Sequence, residues 1–330
     1  MKERYIVGVD LGGTNIVAGA MPVDGSREIA MHTTPTLAEG GAGAVVDRIA
    51  GMIEQVIAQT MSETGARRSD FIGVGIGSPG PLNREKGIVI VTPNLGWKNF
   101  PLRDEISNRV HLEATLDNDA NCATLGEFWC GAAKGGWNVI GMTLGTGIGG
   151  GLILEGKLYH GSSDVAGEIG HTSIDANGRR CKCGNYGCLE AYASGPAIAE
   201  RAREALRGDE GESILASMVE GDQRKITAQT VYEASKRGDA IAREVVRETA
   251  RILGTGVANL LNIFNPDIVV LAGGVTQAGD ALFQPLRAEV KRRAFKPAVQ
   301  ACRIVPGQLP LSAGVVGAIA TFKMQHLGEL

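Results

Sequence analysis

Short continuous apolar runs along this chain alternate with stretches whose apolar positions recur every three or four residues. Tyr5 to Val9 is such a run; it closes on Asp10, turns through Leu11-Gly12-Gly13-Thr14-Asn15 and resumes as Ile16 to Ala20, which predicts strand, tight turn, strand. Between Ala44 and Ile57, Val45, Val46, Ile49, Ile53, Val56 and Ile57 fall at the spacing of one helix face. Phe71 to Ile76 alternates glycine with apolar residues and then breaks at Gly77-Ser78-Pro79-Gly80-Pro81, a strand feeding a loop. Leu112 to Leu116 predicts another strand, followed by Asp117-Asn118-Asp119 and a helical stretch from Ala120 to Phe128. Asn and Asp favour helix N-caps, so the triplet belongs to a strand-to-helix junction.

Val139 to Leu144 repeats the opening pattern, turning through Gly145 to Gly151 and resuming as Leu152 to Leu154. Helices are expected at Pro196 to Leu206, Ala228 to Lys236 and Asp239 to Phe264, the last stopped by Asn265-Pro266-Asp267. Ile268 to Leu271 then predicts a buried strand ending at Gly273-Gly274, followed by helices over Ala281 to Arg293 and Gly314 to Lys323. The duplicated strand-turn-strand unit points to an α/β protein of two related halves facing each other across a cleft. The boundary is expected near Asp117, with residues 1–117 and 312–330 forming a smaller domain and 118–311 a larger one.

The 330 residues and 34.5 kDa leave room for two packed cores. With 44% hydrophobic and 21% charged residues, the composition excludes disordered, collagenous and fibrous classes. Lys and Arg number 33 against 36 Asp and Glu, a formal charge of -3 that favours neither nucleic acid nor anionic membrane as partner. No apolar segment has the length of a signal-peptide core or a membrane span, so a cytoplasmic protein acting on a small ligand is expected.

Glycine accounts for 47 residues, about twice the usual share of roughly 7%. Gly145-Thr146-Gly147-Ile148-Gly149-Gly150 satisfies the dinucleotide fingerprint, but a strand follows where that motif needs a helix. Gly151 to Lys157 begins like a P-loop, yet Leu158 replaces the magnesium-binding hydroxyl. What remains is two turns rich in glycine, each with a threonine, whose backbone N–H groups could surround phosphate oxygens. Each alone could be an ordinary hairpin turn. Together with Asp10, placed to hold magnesium or its water shell, they point to a nucleotide triphosphate.

His171, Cys181, Cys183 and Cys188 form a set of four N and S donors in a polar loop, the chemistry of a closed, structural zinc site. Free core cysteines are the alternative, but Lys182, Asn185 and Arg179-Arg180 offer no apolar pattern to bury. Cys122, Cys130 and Cys302 read as packing residues. Asp119 at a helix start is either a cap or a carboxylate able to accept a proton. Glu168 and His171 can face one way, and Glu190 follows the last thiolate by two residues; a metal knot holding them would suit a hydroxyl-rich ligand.

Asp10-Leu-Gly-Gly-Thr-Asn15, Asp117-Asn-Asp-Ala-Asn121, Leu144-Gly-Thr-Gly-Ile-Gly-Gly150, Gly167-Glu-Ile-Gly-His171 and Cys181-x-Cys-Gly-x-x-Gly-Cys-x-Glu190 closely resemble the ROK family of sugar kinases and sugar-responsive repressors. The resemblance runs in order through the whole chain and implies a two-domain, actin-like ATPase fold of the hexokinase and RNase H type, with an interdomain cleft. It implies Asp119 as the base and Asn118, Glu168, His171 and Glu190 as sugar ligands. It further implies that Gly12, Gly13, Thr14, Asn15, Gly145, Thr146 and Gly147 contact the ATP phosphates, with Gly273 and Gly274 near the adenosine. Pro93-Asn94-Leu95-Gly96-Trp97 is similar to the branch that phosphorylates glucose with ATP, which brings Asn94 to the sugar. The expected reaction is ATP- and Mg²⁺-dependent phosphorylation of the glucose 6-hydroxyl, with another hexose or an N-acetylhexosamine as alternative. A repressor would need an N-terminal DNA-binding domain, for which the strand starting at Tyr5 leaves no room. A homo-oligomer, dimeric or tetrameric, is expected.

Overall fold

The computed structural model describes residues 3 to 208, 213 to 328 and 330. The chain opens with β1 (Tyr5–Leu11), β2 (Asn15–Pro22), β3 (Ile29–Pro35), α1 (Gly41–Thr64) and β4 (Phe71–Ser78). Then come β5 (Leu82–Asn83), β6 (Ile88–Thr92), β7 (Trp97–Phe100), α2 (Leu102–Val110), β8 (Ala114–Asn118) and α3 (Asp119–Trp129). The second strand-turn-strand is β9 (Val139–Leu144) and β10 (Ile148–Leu154), extended by β11 (Lys157–Leu158). Helices α4 (Glu190–Ala193), α5 (Gly195–Arg207), α6 (Ile214–Met218), α7 (Ala228–Lys236) and α8 (Ala240–Phe264) lead to β12 (Ile268–Ala272). The chain closes with α9 (Asp280–Arg293), α10 (Lys296–Ala301), β13 (Arg303–Pro306) and α11 (Ala313–Leu327).

Two five-stranded sheets carry the duplication, ordered β3-β2-β1-β4-β8 and β11-β10-β9-β12-β13. In each, a hairpin partner lies on one side of the first strand and parallel strands on the other: β1 pairs β4 and β4 pairs β8 in parallel, as β9 pairs β12 and β12 pairs β13. The strands are apolar runs because both faces are covered. In β1, Tyr5, Val7, Val9 and Leu11 enter the core built with α1 and α2, whereas Ile6 packs with Val315, Val316, Ile319 and Phe322 of α11.

The glycines alternating along β4 mark where α11 lies. A Cβ at Gly75 would fall 1.8 Å from the Ala318 carbonyl oxygen, and one at Gly73 would fall 2.0 Å from the Phe322 ring. Gly317 likewise lets α11 meet α3, since a Cβ there would be 1.6 Å from the Cys122 carbonyl oxygen. Helix α11 is buried at every position from Ala313 to Lys323, so its sequence has no polar face.

The chain divides into two compact units, Met1–Gly136 with Gly151–Gly167 and Gly307–Leu330, and Trp137–Gly150 with Glu168–Pro306. The expected boundary at residues 117 and 118 lies inside the first unit, because α3 packs on α11 and on the segment leading into it. Buried Glu127 of α3 accepts the N–H groups of Ala132 at 2.8 Å, Gln308 at 3.0 Å and Leu309 at 2.8 Å.

Several elements depart from the sequence pattern. The strand expected over 112–116 runs from Ala114 to Asn118, pairing Ala114 with Val74 and Asn118 with Ser78. Glycines 149 to 151, expected in the turn, lie within β10. Gly151 serves packing there, since a Cβ would meet Thr124 Oγ1 at 2.4 Å. The antiparallel β5-β6-β7 sheet was not visible in the pattern, being made of short strands with exposed edges. No helix among the described residues is long and apolar enough to cross a membrane.

Candidate active site and metal centre

In the first unit, β1 delivers Asp10 to the mouth of the glycine turn. Gly12 N–H donates to the Asn15 carbonyl at 2.8 Å, and buried Thr36 braces the turn through its hydroxyl to the Gly12 carbonyl at 2.8 Å. Gly13, Thr14 and Asn15 are exposed. Asn94 lies against this turn: a Cβ at Gly13 would come within 3.3 Å of the Asn94 Cβ. Burial first, and the charge of Asp119 second, push the Asp10 carboxyl up to about 7 from 3.8. The structure therefore brings Asp10 and Asp119 close enough to repel.

Asn118, not Asp119, caps α3. Its side-chain oxygen accepts the N–H groups of Ala120 at 2.9 Å and Asn121 at 3.2 Å. Asp119 is the first helical residue, and its Oδ1 also faces the Ala120 N–H at 2.8 Å. The cap reading of Asp119 thus passes to its neighbour, and the Asn118 amide group is left to donate.

Beneath this junction lies Asp117, fully buried. Its Oδ1 accepts the Asn118 N–H at 2.8 Å and the Asn121 amide at 3.1 Å. Its Oδ2 meets His160 Nε2 at 2.8 Å and forms an ion pair with Arg84 Nε at 3.0 Å. Burial alone would raise this carboxyl, but His160, Arg84 and Asn121 outweigh it and hold Asp117 below the usual range. Arg84 also pairs with Asp164 at 3.6 Å. Neither Arg84 nor His160 stood out in the sequence. The available signal was the charged residue ending the buried run Thr115-Leu116-Asp117, which demands partners.

In the second unit, the turn from Gly145 to Gly147 is tied at three points. Gly145 N–H donates to the Gly147 carbonyl at 2.9 Å, and Gly195 N–H at the start of α5 donates to the Gly145 carbonyl at 2.8 Å. Ile148 N–H donates to Glu190 Oε2 at 2.9 Å. Gly273, at φ +96°, lies against the end of β9, where a Cβ would be 2.5 Å from the Leu144 carbonyl oxygen. Gly274 opens the helical turn that follows. Glu168 is exposed, and its carbonyl oxygen accepts the His171 N–H at 3.1 Å.

The donor atoms of His171, Cys181, Cys183 and Cys188 all lie within 4.8 Å of one another. Cys183 and Cys188 sulfurs are 3.7 Å apart, and Cys181 Sγ is 3.8 Å from His171 Nδ1. A tetrahedron with metal–sulfur bonds of about 2.3 Å has edges of about 3.8 Å, so the spacing fits an ion that these residues could hold. Burial and the neighbouring thiols push Cys188 up to about 12, while burial raises Cys181. The Asn185 backbone N–H lowers Cys183. Because Nδ1 faces the thiolates, Nε2 is the ring nitrogen directed away from the metal position.

Two sheets of the same strand order, each with a glycine hairpin after its first strand, and a carboxylate at the end of β1 define a class. The fold is the two-domain, actin-like ATPase fold of the sugar kinases. The chain belongs to the ROK family, whose family model matches residues 6–325. It is 38% identical to a glucokinase of Thermotoga maritima over 324 residues, covering 98% of both chains. A glucokinase of Halalkalibacterium halodurans is 37% identical, with 99% of this chain and 97% of that one covered. The crystal structure of a ROK family glucokinase from Streptomyces griseus in complex with glucose and AMPPNP superposes with a TM-score of 0.82. It is 34% identical and the match covers 96% of this chain and 98% of that one.

Proposed function

We propose that this protein is a glucokinase, transferring the γ-phosphoryl group of ATP to the 6-hydroxyl of glucose. The observation that carries the chemistry is the pair Asp10 and Asp119: burial first, and the neighbouring charge of Asp119 second, push the Asp10 carboxyl up to about 7. Such a pair beside an exposed glycine turn suits a cation-assisted phosphoryl transfer. The choice of glucose rests on the full-length likeness to glucokinases, one of them solved with glucose and AMPPNP.

In this reading Asp119 accepts the hydroxyl proton as the sugar oxygen attacks the γ-phosphorus in line. Asn118 donates its amide to a sugar hydroxyl, and Asn94, Glu168, His171 through Nε2, and Glu190 complete the sugar set. The turns Gly12 to Asn15 and Gly145 to Gly147 face the phosphates, offering the N–H groups of Gly13, Thr14, Thr146 and Gly147 and the two threonine hydroxyls, while the N–H groups of Gly12 and Gly145 close the turns themselves; Gly273 and Gly274 lie toward the adenosine. Mg²⁺ near Asp10 would neutralise charge on the transferring group. Zn²⁺ in the His171, Cys181, Cys183, Cys188 site would be structural, since all four tetrahedral positions are taken by protein donors.

The test is a coupled assay of ATP against glucose, mannose, fructose and N-acetylmannosamine. Glucose is expected to give the highest kcat/KM. A higher value for another sugar would move the substrate assignment, and no turnover with any would sink the kinase reading.

A further inference from the structure

Glu190 opens α4 two residues after Cys188, and its carboxylate reaches two structures at once. Oε2 accepts the Ile148 N–H at 2.9 Å, and Oε1 lies 3.9 Å from Cys181 Sγ. The approach depends on Gly147, where a Cβ would fall 2.6 Å from Oε2. The other two ties of the turn are backbone bonds, from Gly145 to Gly147 and from Gly195 to Gly145. Glu190 thus joins the turn to the metal loop, its carboxylate bonded to the Ile148 N–H and its backbone two residues beyond Cys188. The N–H groups of Thr146 and Gly147 take no part in these bonds, which leaves them to phosphate oxygens.

We infer that Glu190 is a positioning residue for the nucleotide as well as a sugar ligand: it locks the Gly145–Ile148 turn to the Cys₃His centre. Nucleotide affinity then depends on this carboxylate and on an occupied metal site, even without sugar. The inference rests on the kinase reading above. Its physical basis is preorganisation: a turn presenting backbone N–H groups binds phosphate well only if it is already held in the binding shape. The carboxylate acts as a hydrogen-bond acceptor here, so an amide oxygen at the same place preserves the brace.

The test is calorimetric titration with AMPPNP and Mg²⁺, in the absence of sugar, on wild type, Glu190→Gln, Glu190→Ala and Gly147→Ala, with metal content measured for each. Removing a bond to a charged acceptor predicts about tenfold weaker AMPPNP binding for Glu190→Ala. Glu190→Gln should stay within a few-fold of wild type. Gly147→Ala, which displaces the carboxylate without touching the metal loop, should weaken binding like Glu190→Ala. Wild type stripped of metal by a chelator should bind AMPPNP as weakly as Glu190→Ala. Wild-type affinity in Glu190→Ala or Gly147→Ala, or equal losses in the Gln and Ala variants, would overturn the brace. Unchanged affinity after stripping would overturn the link to the metal. A wild-type protein that does not bind AMPPNP would instead overturn the kinase reading itself.

Discussion

His160→Ala tests whether the buried carboxylate under the α3 junction holds Asp119, the proposed base, in place. Asp117 is fully buried and ionised, and His160 Nε2 supplies one of its four close partners at 2.8 Å. Losing a hydrogen bond to a charged group costs about 1.5–3 kcal/mol. Breaking a buried pair outright costs about 3–5 kcal/mol, but Arg84 remains beside Asp117, so the lower range applies. At about 2–4 °C per kcal/mol for a unit of this size, the melting temperature should fall by about 3–12 °C. Asp117 also receives the Asn118 N–H, one residue before Asp119, so the loss should reach catalysis. A small displacement of the base lowers kcat, by about tenfold here, and leaves both KM values close to wild type. Scanning calorimetry and steady-state kinetics read the two effects, and His160→Gln, which can still donate to Asp117, should recover most of both. A variant melting within about 1 °C of wild type with unchanged kcat would refute the reasoning.

Asp119→Asn should lower kcat by about 10²–10⁴-fold while calorimetric glucose affinity stays within a few-fold, because general-base catalysis acts on the transition state; near-normal turnover would remove Asp119 from the role. Asp10 has a folded value near 7 against 3.8, so its proton stabilises the fold at low pH and stability drains as pH rises between the two. Asp10→Asn should therefore gain melting temperature over wild type at pH 8, in chelator, and lose that gain at pH 4; an equal difference at both values would contradict the assignment. Cys183→Ser should lower bound zinc from about one ion per chain, read by elemental analysis, and reduce both melting temperature and glucose affinity. Full zinc occupancy in that variant would remove Cys183 from the ligand set.

Much of the fold was legible because the strands of its two large sheets are covered on both faces and most of its helices, α11 apart, on one. Continuous runs such as Val139 to Leu144 and the long period of α8 leave little ambiguity between strand and helix. The Cys₃His cluster was legible for a different reason: its three cysteines and histidine fall within one short stretch, so local spacing alone brings the donors together. The strands β5 to β7 were not legible, being too short and too exposed to show a period.

The sequence by itself determined the duplicated strand-turn-strand plan, the two glycine turns, the carboxylates at their strand and helix ends, and the Cys₃His knot. Each of these is local, carried by residues close in the chain whose types have few other uses. Tertiary structure alone decided that α3 joins the first unit, that Asn118 and not Asp119 is the cap, and that Glu190 reaches Ile148. It also brought Arg84 and His160 to Asp117. Apart from the local Asn118 cap, those contacts join residues tens of positions apart, and each is set by how helices and loops pack on the sheets, for which no periodicity or spacing along the chain carries a mark.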